Sequence, residues 1–206
     1  MQSKMKYIIT ILILLSIFLL LTISSYANTV SQDLSNNFFR LHILANSDSV
    51  KDQELKLKVR DNIIEYMNTL TYSGLSKSEA IELTKQNLDK LQKIAEDTIK
   101  NEGYSYSVNL EIGNFYFPTK EYGNISLPAG YYDGLKIEIG DAQGQNWWCS
   151  LFPPLCFVDI SSGVIDEESE ENLKENLSEE EFAIITENSD TIKFKFKLIE
   201  VFSDKQ

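Results

Sequence analysis

At Gly103 the spacing of apolar residues changes from three and four to two, and this change limits the fold more than any other feature. Before it, Leu55, Val59, Ile63, Met67 and Leu70 recur at helical spacing from Lys51 onward, with Ser49 placed to cap the amide end and Asp52 three residues on. Gly74 separates this helix from a second. That one opens on Ser76 and Glu79, a capping-box pair, and carries the stripe Ile81, Thr84, Leu88, Leu91 and Ala95 toward Gly103. Beyond Gly103, Tyr104, Tyr106, Val108, Leu110 and Ile112 alternate with Ser105, Ser107, Asn109 and Glu111, the pattern of a sheet with one buried face. Gly113-Asn114 reads as a turn before FYF from Phe115. Ile125 to Leu127, a turn at Pro128-Ala129-Gly130 and the alternating YYDGLKIEIG come next. A loop from Gly140 to Gln145 leads to WWCSLF, which Pro153-Pro154 interrupts before LCFVDI, and Thr191 to Leu198 closes the chain as a strand. Phe38 to Leu44 is a short strand ahead of the helices. The order strand, two helices, several strands predicts a single α+β domain with a mainly antiparallel sheet.

The start of the chain does not belong to that domain. Lys4 and Lys6 precede an apolar run, Tyr7 to Ile23, broken only by Thr10, Ser16 and Thr22, and Ser25-Tyr26-Ala27 offers the small residues a signal peptidase reads. The run is longer than a usual signal core and approaches a spanning helix, so residues 1–27 read as a cleaved export signal or an uncleaved anchor. Either way the body, residues 28–206, leaves the cytoplasm. That body has 17 basic and 31 acidic side chains, a net charge of −14, which repels nucleic acid and anionic lipid. Nucleic-acid partners are excluded, and membrane contact is confined to the N-terminal segment.

Cys149 and Cys156 flank LFPPL closely enough to bridge a Pro-Pro turn, and an even count in an exported chain suits a disulfide; two buried thiols are the other reading. Two cysteines and one distant histidine make a poor zinc set, so no metal or cofactor is expected. Nine acids lie between Asp166 and Glu181, a solvated face rather than an ion site.

Against this lysine-rich background, both arginines and the only histidine fall within RLHILANSDSVKDQELKLKVRD, residues 40–61. On a strand Arg40 and His42 share one face, taken as the polar one, opposite Leu41 and Ile43. No strained GxSxG elbow supplies a nucleophile for His42, and the cysteines are candidates for pairing with each other. Asn46, Asp48, Asp52 and Glu54 fail as a calcium loop because Val50 stands at an oxygen position. GDAQGQNWW lacks the lysine and the helix of a phosphate cradle. A structural reading pairs Arg40 and Arg60 with Asp48, Asp52 or Asp61. The enzymatic alternative is an exported hydrolase of cell wall or peptide using His42 and a nearby acid.

The same stretch closely resembles the stage II sporulation protein R family, whose signature R-x-H-x-x-A-N-S-D-S-x-x-D-Q-x-L-K-x-x-V-R-D is met from Arg40 to Asp61. NWWCSLFPPLCFVD, from Asn146 to Asp159, resembles that family's second block; Pro128 to Tyr131 and KFKFKLIEVF fit more loosely, and the resemblance is strongest over residues 38–160. It implies a signal, not an enzyme. Such a protein is made in the forespore, exported toward the space between forespore and mother cell, and activates a membrane-embedded aspartic protease, SpoIIGA, that processes pro-sigma-E. The residues expected to meet that protease are Arg40, His42, Asn46, Asp48, Asp52 and Arg60, with Trp147 and Trp148 beside Phe152 and Leu155 as a second patch.

Overall fold

The structure is a computed structural model that describes residues 2–70, 75–156, 165 and 167–186. It is mixed α+β. A long helix α1 (Gln2–Asn37) leads through Phe38 into β1 (Phe39–Leu44), followed by α2 (Val50–Thr69), α3 (Lys77–Gln86) and α4 (Leu88–Asn101). Then come β2 (Val108–Phe117), β3 (Lys120–Tyr122), β4 (Ile125–Leu127), β5 (Gly130–Ile139), β6 (Asn146–Phe152), α5 (Glu167–Asn176) and α6 (Glu179–Thr186). The main sheet has the order β2-β5-β1-β6, and β3 and β4 form a separate ribbon. Every pairing is antiparallel except that of β1 with β5.

One face of the sheet carries Leu41, Ile43, Leu110, Leu135, Ile137 and Cys149, and α2 and α4 bring Leu55, Val59, Ile63, Leu91, Ala95 and Ile99 into the same core. Each leucine, isoleucine or valine among them stabilises the domain by roughly 1.5–3 kcal/mol on burial. The opposite face carries Arg40, His42, Lys136, Trp148 and Ser150, with Phe117 and Tyr132 packed on its lower half beneath Tyr122 of the ribbon.

The two predicted caps form as read: Ser49 Oγ accepts from the Asp52 amide, and Ser76 and Glu79 bond reciprocally. Four expectations are corrected. The second helix is two, because the chain breaks at Asn87, whose Nδ2 donates to the Leu83 carbonyl while its Oδ1 accepts from Tyr66. The apolar stripe runs on across that break, so periodicity could not reveal it.

Residues 104–107 precede the sheet. Gly103, at φ +83°, ends α4 with the Tyr104 amide turned back onto Ile99, and Tyr104 stacks on Tyr106; ring stacking, not strand pairing, accounts for their alternation. Gly113-Asn114 is not a turn. It runs straight through β2 opposite Gly134 and Asp133, and a Cβ on Gly113 would lie 2.9 Å from the Phe115 ring. Finally, β1 has no polar face toward water: set between β5 and β6, all its residues but Leu44 are buried.

The stretch Lys4–Thr22 of α1 is long and apolar enough to cross a membrane and is exposed throughout. The end of α1 belongs to the core. Leu34 has zero exposure, Lys77 Nζ donates to the Ser35 carbonyl at 2.9 Å, and Asn37 Nδ2 donates to Glu181 Oε1 at 2.7 Å. The described part of the acidic segment is helical and largely solvated, as the charge run predicts. The strand expected at Thr191 to Leu198 and the continuation of LCFVDI past Cys156 lie outside the described residues.

Candidate partner-binding surface

Where β1 ends, the chain enters Ala45 to Ser49, and the β5–β6 loop of residues 140–145 lies directly against it. The signature's polar groups tie the two together. Asn46 Oδ1 accepts from the Asp141 amide at 3.0 Å, and Asp48 Oδ1 accepts from the Gln145 amide at 2.8 Å. The carbonyls of Ala45 and Asn46 accept from the Gly144 and Gln143 amides. Lys56 Nζ donates to the Gln145 carbonyl at 2.9 Å and to Gln53 Oε1, and Gln53 Nε2 donates to the Ser47 carbonyl. Asp52 accepts from Asn46 Nδ2 at 2.9 Å and from Ser47 Oγ, and these bonds hold its carboxyl below the usual range. The approach is close enough that only glycine fits at two places. A Cβ on Gly140 would lie 2.2 Å from Asn46 Oδ1, and one on Gly144 2.3 Å from the Ser47 carbonyl oxygen. The signature Asn-Ser-Asp-Ser-x-x-Asp-Gln-x-x-Lys is thus a clamp on a neighbouring loop.

His42 and Trp148 form the second feature. Paired across β1 and β6, their rings stack at 3.5 Å between centroids, 17° from parallel. His42 Nε2 lies 2.7 Å from Asn146 Oδ1, the position of a donor in the neutral ring. Burial lowers its pKa to about 4, so the ring is neutral at physiological pH. It packs on Trp148 and Phe117 and bonds Asn146. Lys136 and Glu138 lie near enough to act on its charge, and both cysteines are bonded to each other.

Arg40 lies deeper, with zero exposure. Its guanidinium sits 4.4 Å from the Phe117 ring centre and 4.8 Å from that of Tyr132, and Nη2 donates to Tyr122 Oη at 2.9 Å. Among the described residues it makes none of the carboxylate pairs expected of it. Arg60 does, bonding Asp61 at 2.6 Å while stacking 4.2 Å above the Trp147 ring.

The eight residues expected at a contact surface therefore separate. Arg40 and Asp52 are buried and support what lies above them, because β1 is an inner strand and Asp52 is inside the clamp. His42 keeps 8% of its surface. Asp48 is exposed, and Asn46, Arg60, Trp147 and Trp148 are half-buried. The expectation of one core and one surface tryptophan is corrected: the two face opposite sides of β6, and both are covered in part, Trp148 by His42 and Trp147 by Arg60. Phe152 and Leu155 are core. Sequence reasoning missed the exposed loop residues Asp141, Gln143 and Gln145; the Gly140…Gly144 pair was their signal, since a loop needing two glycines is pressed against something. Among the described residues no cluster of three or more histidine, cysteine or acidic groups is arranged for a metal.

A family model for stage II sporulation protein R matches residues 35–162, from the last turn of α1 through the clamp, the His42–Trp148 stack and the disulfide. The chain belongs to the stage II sporulation protein R family. It is 36% identical over 178 residues to stage II sporulation protein R of Bacillus subtilis (strain 168), covering 80% of each chain. No solved structure matches. The family match takes in both signature blocks and stops short of α5 and α6.

Proposed function

We propose that this sporulation protein is an exported signal made in the forespore. It binds the extracytoplasmic face of a membrane-embedded aspartic protease of the SpoIIGA type and stabilises the active state, so that pro-sigma-E is processed in the mother cell. The observation that carries this reading is the family match across both signature blocks at 80% of each chain. The apolar α1, which suits a signal or anchor, and the disulfide, which suits an oxidising compartment, support export. Activation then needs only that the domain bind one state of the protease better than the other. The contact lies over Asp48, the open edge of Trp148 and the Arg60–Trp147 stack, with Arg40 and Asp52 beneath as supports.

The test is co-expression of the chain with the protease and its pro-sigma substrate. The intact chain triggers processing. Asp48→Ala, Arg60→Ala and Trp148→Ala stay folded and lower it, Trp148→Ala by at least about tenfold, as for a buried aromatic anchor. No processing with the intact chain overturns the proposal.

A further inference from the structure

We propose that the Cys149–Cys156 bond is an export-set switch that assembles the tryptophan surface only outside the cytosol. For its place of action this rests on the signalling reading above; the structural change does not. Among the described residues β6 is an edge strand, paired with β1 alone. Its far end is covered by the chain itself: after Pro153-Pro154, the Leu155 amide bonds back to the Ser150 carbonyl at 2.9 Å and the Leu155 side chain is buried. The disulfide is the covalent part of that return, joining residues seven apart with Cα atoms 5.0 Å from each other. Cys149 lies opposite Leu41 and directly follows Trp147 and Trp148, so a bond that ties it to the turn steadies the end of the edge strand that presents Trp148 to His42.

In the reducing cytosol both residues are thiols, and the turn loses its covalent link. Among the described residues that leaves the Leu155–Ser150 hydrogen bond, the Ser150 Oγ bond to the Phe152 carbonyl and the buried Phe152, Pro153 and Leu155 to hold it. After export an oxidised dithiol carrier accepts two electrons by thiol–disulfide exchange. The half-exposed Cys156 attacks as thiolate, a mixed disulfide forms, and Cys149 displaces the carrier. One S–S bond is made here, the carrier's is broken, and both protons of the thiols pass to the carrier's two sulfurs. The contact surface would then be loose where the protein is made and firm where it acts.

Hydrogen exchange on the full chain tests this. Three forms are compared: oxidised, reduced and alkylated under native conditions, and the Cys149→Ser/Cys156→Ser double variant. Amides of residues 146–156 are expected to exchange at least about tenfold faster in both bond-free forms while α2 and β5 keep their protection, and the unfolding midpoint falls by about 5–10 °C. Equal exchange in all three forms overturns the switch, as does acceleration spread evenly over α2 and β5. In the reconstituted system below its midpoint, the double variant triggers less processing than the oxidised chain, and equal processing overturns the regulatory role. If the oxidised chain triggers none while the exchange contrast holds, the protease partner falls and the structural switch stands.

Discussion

Arg40 carries its charge over two aromatic rings set nearly at right angles, with one hydrogen bond to Tyr122 and, among the described residues, no partner for Nε or Nη1. Packing against Phe117 and Tyr132 therefore outweighs ion pairing at this site. Arg40→Met, which keeps the stem, is expected to lie closer to the parent than Arg40→Ala, which opens a cavity and costs about 2–4 kcal/mol in urea unfolding. The reverse order would mean that the charge dominates. His42 gives a pH signature. It takes up its proton near pH 4 in the folded domain and near 6.5 when unfolded, so the unfolded state gains the proton first as pH falls. Stability is full above pH 6.5 and declines toward 4. Between pH 7 and 5 the loss is about 1–2 kcal/mol, allowing for partial contact with solvent, and His42→Gln flattens it in the same urea titration. Asp52 stays outside the pH 7 to 5 span, because its contribution is lost only as pH falls through the ordinary carboxylate value toward its own lowered one. That these side chains were special was legible from their clustering in a lysine-rich chain. That Arg40 and His42 were buried was not, since strand alternation assigns two faces but not whether a ribbon and aromatics close the second.

The clamp between Ala45–Ser49 and residues 140–145 holds two glycines, and Gly103 at the end of α4 gives the comparison. Gly144→Ala forces a Cβ onto a backbone oxygen that cannot swing aside, and Gly140→Ala meets the Asn46 side chain at φ +59°. Gly103→Ala has a positive φ but open space. The expected order of destabilisation is Gly144 and Gly140 at about 2 kcal/mol or more, then Gly103 near 1 kcal/mol, read from denaturant midpoints. Faster exchange of residues 140–146 in the first two would locate the damage. Element existence was legible in part: both caps, α2, the helical span that holds α3 and α4, and most strands follow from residue pattern, whereas α6 was not read. What escaped were places where pattern runs through a change of structure. The Ile81-to-Ala95 stripe crosses the break at Asn87, and Gly113 reads as a turn although its lack of a side chain serves the Phe115 ring. Contacts across the sheet, including the clamp, join residues about 95 positions apart and leave no local trace.

At the scale of the whole molecule, α1 ends inside the fold it delivers. A chain begun at Asn28 retains Leu34 and Phe38 and is expected to unfold cooperatively near the parent midpoint. One begun at Phe39 lacks both and loses about 3–5 kcal/mol or fails to fold, as circular dichroism during thermal unfolding would record. The change of period at Gly103 was enough to predict α+β, but the parallel partnership of β1 with β5 needed the structure, because residues 45–129 separate the two strands. The junction at the end of α1 bears on the messenger's range. Six residues, 28–33, lie between the small-residue site at Ala27 and Leu34, the first side chain of the helix that is buried among the described ones, so a cut at Ala27 keeps Leu34 and Phe38 with the body. Diffusible and tethered forms would then carry the same face to their receiver. The cut alone would decide whether the message travels through the space or slides along the membrane.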